Sequence, residues 1–133
     1  MKNFALDSYS VLAYQKGEKG KDRVKELLLK AEEGKIKIYL NWINIGEIYY
    51  ILIRETDEEI ANKAIAFIKK WPLNLVVPDE INILNAAKIK SKNPISYADA
   101  FAASTAIQFN ADLVTGDPEF KILENKIPIY WIV

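Results

Sequence analysis

Short apolar runs alternate with helical segments along the whole chain, and this alternation limits the fold more than any other feature of the sequence. The strand-like runs cover residues 3–6, 36–40, 73–77, 112–115 and 127–133. The segments between them have helical periodicity; residues 24–31, for example, carry apolar side chains at i, i+3, i+4 and i+7. Strands joined through helices form right-handed crossovers, so both faces of the sheet are covered. The sequence therefore predicts a three-layer α/β/α sandwich with a central, mostly parallel, five-stranded sheet, built as one domain over residues 1–133.

The composition limits the chemistry that such a fold can perform. The chain contains no cysteine and no histidine, which excludes disulfides, thiol catalysis and Ser-His-Asp or Cys-His sites. Acid–base or metal chemistry must therefore depend on carboxylates, which suit hard cations such as Mg²⁺ or Mn²⁺. The formal net charge of +0 argues against a protein that holds nucleic acid by bulk electrostatics, although a local patch with a metal is compatible with it.

The sequence gives no indication of a membrane protein. The apolar opening ends at Asp7, and every uncharged run is shorter than the roughly 20 residues that a membrane helix needs. We expect a cytoplasmic protein without a signal peptide and without a membrane partner.

Two otherwise apolar segments each carry one charge. Residues 42–53 contain only Glu47, and residues 96–109 contain only Asp99. An ionised carboxylate in an apolar setting is costly enough that it normally becomes neutral or finds a partner. We therefore expect another group to share these two charges.

Two further acids follow predicted strands directly. Asp7 comes after the first strand and Asp117 after the fourth. The carboxyl ends of parallel strands share one edge of a sheet, where ligands of α/β folds bind. Four carboxylates, including Glu47 and Asp99, are therefore expected to converge there, whereas Asp112 begins its strand and belongs to the opposite edge.

Helix capping offers a simpler explanation for each acid taken alone. Asp7 and Asp117 stand at expected N-cap positions, and Glu47 and Asp99 each follow a capping-type residue by three positions. Those capping residues are Asn44 and Ser96, and residues 56–59 form another capping box. Taken together, however, two carboxylates about 4 Å apart repel by roughly 4 kcal/mol at an effective dielectric of 20. A divalent cation is the partner that makes such a cluster sustainable.

Several segments resemble a known family. LDSYSVLAY (6–14), SYADAFAAS (96–104), VTGDPEF (114–120) and the Glu47 segment together resemble the PIN domain, in particular the VapC-type toxins of bacterial and archaeal toxin–antitoxin pairs. The resemblance spans nearly the whole chain. It implies a Mg²⁺- or Mn²⁺-dependent endoribonuclease that cleaves single-stranded or loop RNA. It also implies that Asp7, Glu47, Asp99 and Asp117 form the catalytic and metal-binding site.

The resemblance also suggests how the roles divide. Asp7 and Asp99 are expected to be the most direct ligands, Asp117 to bind directly or through water, and Glu47 to position the attacking water or complete a second metal position. Glu119 corresponds to a more distant position of the metal shell or to a charge in the first helical turn. Asn44 replaces a small hydroxyl residue that is frequent in the family. The hydroxyls of Thr115 and Ser8 are candidate supporting donors.

The expected partners are RNA, a cognate antitoxin and a second copy of the chain. The antitoxin follows from the resemblance, in which a basic partner residue enters the acidic pocket. A homodimer is expected because the aromatic side chains Trp42, Tyr49, Tyr50 and Trp71 exceed what one sheet needs to bury. Two lysine groups are candidate phosphate contacts, at residues 16–21 and 88–92.

Three alternatives remain open. The first is another nuclease of the same fold, acting in RNA processing or on structured DNA. The second is a phosphoacceptor receiver domain, which is disfavoured because the strand 112–115 leads into an acid where that class has a lysine. The third is a non-catalytic metal-binding or interaction module.

Overall fold

The five-stranded α/β/α sandwich is confirmed by a computed structural model that describes residues 1–133. The strands are β1 Lys2–Leu6, β2 Ile36–Asn41, β3 Asn74–Val76, β4 Asp112–Thr115 and β5 Ile129–Trp131. Their order in the sheet is β3-β2-β1-β4-β5, and every neighbouring pair is parallel. The change of direction in strand order lies between β1 and β4, so the ends of these two strands define the place where ligands of such sheets bind.

Six α-helices and one 3₁₀ helix connect the strands. The α-helices are α1 Ser8–Gln15, α2 Lys21–Glu32, α3 Trp42–Glu55, α4 Glu58–Ile68, α5 Glu80–Lys92 and α6 Tyr97–Gln108; the 3₁₀ helix is Pro118–Leu123. None of the six combines the length and the apolar character that a bilayer crossing requires.

The alternation of side chains along β1 divides the interior into two cores. Phe4 and Leu6 belong to a core of 16 buried residues, which α1 to α4 cover. Ala5 points the other way, into a core of 13 buried residues covered by α5, α6 and the 3₁₀ helix. Successive residues of a strand face opposite sides of the sheet, so one strand serves both cores.

Two predicted helix starts are wrong. Asn41, and not Asn44, caps α3, because β2 runs into the helix without a loop and the Asn41 side chain accepts the Ile43 N–H at 2.9 Å. Asp57, and not Thr56, caps α4. The Thr56 hydroxyl is already engaged at the end of the preceding helix, where it donates to the Leu52 carbonyl at 2.6 Å.

A buried hydrogen-bond network fixes α5 and α6 against the end of β2. Asn41 Nδ2 donates to Asn82 Oδ1 at 2.9 Å and to Thr105 Oγ1 at 3.1 Å. Asn82 Nδ2 in turn donates to Gln108 Oε1 at 2.9 Å and to Ser104 Oγ at 3.4 Å. Buried polar groups cost little when every partner is present, and such networks specify one arrangement of the helices. The position of α6, which carries Asp99, therefore depends on Asn82.

We expect Asn82→Ala to lower the free energy of unfolding by about 1–3 kcal/mol, because it removes the hydrogen bonds that the buried side chains of Asn41 and Ser104 make with Asn82. Urea unfolding of the variant and of the wild type measures the difference. Asn85→Ala is the matched control, since Asn85 is half-buried on the same helix and makes no side-chain hydrogen bond. Equal losses in the two variants would contradict a special role for the network.

Candidate metal centre

The candidate site lies where β1 and β4 end. Asp7 follows β1 and Asp117 follows β4 after Gly116, while α6 brings Asp99 to the same edge in its first turn. The structure places Asp112 at the opposite edge, as predicted, where its carboxylate lies 3.1 Å from Lys2 Nζ.

Asp7 is buried, and each of its two carboxylate oxygens accepts a hydrogen bond. Its Oδ1 accepts the Ser10 N–H at 2.8 Å, which caps α1, and its Oδ2 accepts the Thr115 hydroxyl. Burial raises the pKa of the Asp7 carboxyl to about 7, although the hydrogen bonds from Thr115 and Ser10 oppose the shift. The negative charge of Asp99 raises this pKa further.

Asp99 is half-buried in the first turn of α6, where its N–H donates to Ser96 Oγ at 3.1 Å. Burial raises the pKa of its carboxyl to about 6, and the charges of Glu47, Asp117 and Glu119 add to the shift. Ser96 is thus the helix cap, as predicted. The Asp99 carboxyl is therefore the group whose pKa responds to the charges of three neighbouring acids.

The carboxylates of Asp99, Asp117 and Glu119 come together at this edge of the sheet. One carboxylate oxygen each of Asp99, Asp117 and Glu119 lies within 4.8 Å of the other two. Asp117 is held in place from both sides, because its N–H donates to Thr115 Oγ1 at 3.0 Å and its Oδ1 accepts the Glu119 N–H at 2.9 Å. Glu119, in the first turn of the 3₁₀ helix, is thus one of the three clustered carboxylates.

The other two predicted acids flank this group. Glu47 is half-buried on α3, and its charge raises the pKa of Asp99. Asp7 is directed to Thr115 and Ser10, and the charge of Asp99 raises the pKa of the Asp7 carboxyl. The structure thus brings Asp99 and Asp117 together with Glu119, and it places Asp7 and Glu47 around them.

The donor set fits Mg²⁺ or Mn²⁺. All three ligands are carboxylate oxygens, the type that these hard cations prefer. Two oxygens bound to one Mg²⁺ at 2.0–2.1 Å lie at most about 4 Å apart, so a span of 4.8 Å closes with small side-chain movements. Asp7 also has capacity to contribute, because a carboxylate has about four lone-pair sites and its hydrogen bonds use two of them.

Asn44, which the sequence suggested as a helix cap and as the replacement of a family hydroxyl, is buried beside the site. Asn44 Nδ2 donates to the Ala98 carbonyl at 3.0 Å, and the Asn44 carbonyl accepts the Ser8 hydroxyl at 3.2 Å. Its neighbours are thus the residues adjacent to Asp7 and Asp99 in sequence. Asn44 Oδ1 is buried without a hydrogen-bond partner. Such an acceptor fits a site that takes up a water or another polar ligand.

A glycine is required at position 116, between Thr115 and Asp117 in the chain, because other side chains pack closely against its Cα. A Cβ atom at this position would collide with the ring of Tyr9 and with Val133. Tyr9 is therefore packed over the loop that carries Asp117, and it remains 41% exposed at the edge of the site.

The chain matches the family model described as the PIN domain over residues 4–126. A search of curated protein sequences finds no significant match.

Several solved structures share the fold. The DNA-bound VapBC of Salmonella typhimurium has a TM-score of 0.75 at 18% identity, with 100% of each chain covered. Mycobacterium tuberculosis VapC20, a sarcin–ricin loop cleaving toxin, has a TM-score of 0.73 at 13% identity, covering 96% of this chain and 98% of the other. A toxin–antitoxin complex from Klebsiella pneumoniae has a TM-score of 0.68 at 13% identity, with 97% of each chain covered. At these identities the likeness shows a common fold.

The raised pKa values predict that the metal-free protein loses stability as pH rises. The folded-state pKa values of Asp7, about 7, and Asp99, about 6, lie above the ordinary value of 3.8. The folded state therefore binds protons that the unfolded state releases, and stability falls from about pH 4 to pH 7. No histidine titrates in this window. In EDTA we expect the Tm of the wild type to be lower at pH 8 than at pH 5 by at least about 4 °C.

Asp99→Asn and Asp112→Asn test the origin of this pH dependence. Asp99→Asn should reduce the pH dependence and melt no lower than the wild type at pH 8 in EDTA, because one repulsive charge is gone. Mg²⁺ should then raise the Tm of the wild type more than that of this variant. Asp112→Asn should behave like the wild type in both respects. An identical response of all three proteins to pH and Mg²⁺ would show that Asp99 is only a helix-turn residue.

Proposed function

Because the chain belongs to the PIN domain family, we propose that it is a Mg²⁺- or Mn²⁺-dependent endoribonuclease that cleaves single-stranded or loop RNA. The observation that carries the proposal is the group of carboxylates at the switch in strand order, in which Asp99 meets Asp117 and Glu119 within 4.8 Å. The absence of cysteine and histidine supports it further, because carboxylates are the metal ligands that remain.

The residues divide the work according to their surroundings. Asp99, Asp117 and Glu119 would hold the cation, with Asp7 beside them as a further ligand. When bound, Mg²⁺ or Mn²⁺ activates a water for attack on phosphorus and neutralises charge on the phosphate. Thr115 fixes the orientation of both Asp7 and Asp117, since its hydroxyl donates to the first and accepts the N–H of the second. Glu47, half-buried beside Asp99, is placed to orient water.

We expect Asp99→Asn to lower the rate of RNA cleavage by at least about 100-fold, because the charge is lost from the catalytic centre. A fluorescent single-stranded RNA and a hairpin RNA serve as substrates, with Mg²⁺ or Mn²⁺ present. Asp112→Asn is the matched control and should cleave like the wild type. Undiminished cleavage by the wild type in excess EDTA, or by Asp99→Asn in Mg²⁺, would rule out the proposed site.

A second part of the proposal is that the protein is the toxin of a type II toxin–antitoxin pair. The K. pneumoniae structure that shares its fold is a toxin–antitoxin complex. The chain also has a groove of about 790 Å³ between α1, α2 and α4. Phe67 and Ile60, which are 63% and 49% exposed, contribute apolar surface, and lysines surround it. These lysines are Lys16, Lys21, Lys25 and Lys63. This surface fits an amphipathic acidic segment of an antitoxin.

Expression of the chain alone should stop growth, and co-expression with the neighbouring gene should restore it. Phe67→Asp should remain toxic under co-expression, because a carboxylate in the apolar groove opposes docking of the antitoxin. Leu29→Asp is the control, since Leu29 is 55% exposed on α2 and does not line the groove. Equal growth with and without the neighbouring gene would favour a PIN nuclease in RNA processing instead.

The third part of the proposal is a homodimer, for which the structure supplies a different surface from the predicted one. Trp42, Tyr49 and Trp71 pack against the larger core, so among the four predicted aromatics only Tyr50 is exposed. The exposed apolar surface that we propose as the dimer interface lies instead on α5 and on the segment just before this helix. It comprises Val77, Ile81 and Leu84, which are 74%, 62% and 55% exposed.

We expect a dimer by light scattering at tens of micromolar, and Leu84→Asp should convert it to a monomer because it buries a charge at the interface. Ile122→Asp, which changes a similarly exposed residue on the 3₁₀ helix, should remain dimeric. A wild-type monomer at this concentration would rule out the homodimer.

A further inference from the structure

A second groove lies between α5, α6 and the residues that follow the 3₁₀ helix. Its volume is about 280 Å³, and three lysines, Lys88, Lys92 and Lys126, line it. We call it the lysine groove. Apolar side chains form the rest of its surface, mainly Ala103, Ile107, Leu123 and Ile127.

The three lysines have no anionic partner within the chain. None of them takes part in the six ion pairs of the structure. Lys16, from the other lysine group of the sequence, differs because it pairs with Glu55 at 3.0 Å and with Glu18 at 3.8 Å. The positive charge of the lysine groove is therefore free for an external anion.

The groove shares two structural elements with the acidic site. On α6, Ala103 and Ile107 follow Asp99 by four and eight residues, so the three lie on the same side of the helix. At 1.5 Å per residue they lie about 6 and 12 Å from Asp99 along the helix axis. The opposite wall includes Leu123, the last residue of the 3₁₀ helix that Asp117 caps and that carries Glu119.

We propose that the lysine groove binds the phosphates of the RNA strand as it leaves the acidic site. Lys88 and Lys92 are one helical turn apart, about 6 Å along α5, which is comparable to the separation of successive phosphates in a nucleic-acid strand. The apolar surface between the lysines suits sugars and base faces. This inference rests on the proposed function, because it extends the path of the same substrate.

The occupant that the charges favour is RNA and not an acidic peptide. A strand that runs from the groove along α6 toward Asp99 would reach the acidic cluster, where a divalent cation would offset its phosphate charge. An acidic peptide on the same path would meet the carboxylates of Asp99, Asp117 and Glu119 without being a substrate for the cation.

The test is a triple variant, Lys88→Gln, Lys92→Gln and Lys126→Gln, compared with the wild type in RNA cleavage. The KM for a single-stranded RNA of 12 nucleotides should rise at least tenfold, whereas kcat at saturating RNA should stay within twofold because the lysines lie away from the reacting atoms. Loss of three phosphate contacts should also reduce the slope of log affinity against log salt by about 2. A matching triple substitution by arginine should keep the wild-type KM and slope.

The control variant carries the same charge change elsewhere. Lys37→Gln, Lys69→Gln and Lys70→Gln alter exposed lysines that form no ion pair and do not line the groove. This variant should keep the wild-type KM and salt slope. Equal KM values and slopes in the two glutamine variants would overturn the inference.

RNA binding separates failure of this inference from failure of the proposed function. Fluorescence anisotropy measures RNA binding in the Asp99→Asn background with Mg²⁺, with and without the three lysine substitutions, and needs no cleavage. If the wild type cleaves no RNA but binding still depends on the lysines, the nuclease proposal fails and the groove assignment stands. The inference is wrong if the substitutions leave the RNA affinity unchanged. In that case a change in the molecular mass would assign the groove to a second copy of the chain. A change in the inhibition by the neighbouring gene product would assign it to the antitoxin.

Discussion

The buried carboxylate of Asp7 is the interaction on which the arrangement of the site depends. One of its oxygens caps α1, and the other accepts the hydroxyl of Thr115 at the end of the neighbouring strand. Thr115 in turn accepts the N–H of Asp117. A single carboxylate thereby couples β1, β4 and the loop that carries Asp117. Because burial of this charge is costly, the fold contains a destabilised position that a bound cation would stabilise.

The position of α6 determines whether this arrangement becomes a metal centre. Asp99 meets Asp117 and Glu119 only if the first turn of α6 lies over the ends of β1 and β4. The buried network around Asn82 holds the other end of the same helix, and Asn44 holds its beginning through the Ala98 carbonyl. Rigid support of this kind is what precise placement of ligands requires. The side-chain amides of Asn44 and Asn82 therefore contribute to the positions of the carboxylates.

The sequence predicted the fold correctly because alternating strands and helices leave few possible topologies, and the PIN resemblance is confirmed by the family match. It also identified the acids at the strand ends. The sequence did not reveal that Glu119, and not Asp7, joins Asp99 and Asp117 in the closest group of carboxylates. The reason is local: the Asp7 carboxylate accepts hydrogen bonds from Ser10 and Thr115. The cap of α3 was misplaced by three residues, since sequence alone does not reveal that β2 enters the helix without a loop.

The zero net charge of the chain conceals a separation of charge that suits an RNA substrate. Asp99, Asp117 and Glu119 cluster at the ends of β1 and β4, and three lysines without an ion-pair partner line the groove between α5, α6 and the residues after the 3₁₀ helix. At physiological ionic strength charges are screened over about 8 Å, so a bound strand responds to the groups it touches and not to the sum over the protein. A neutral protein can therefore bind a polyanion along a short path, provided that the positive charges stand where the phosphates pass. Neutrality also limits non-specific binding elsewhere on the surface, so the proposed recognition would depend on the local path.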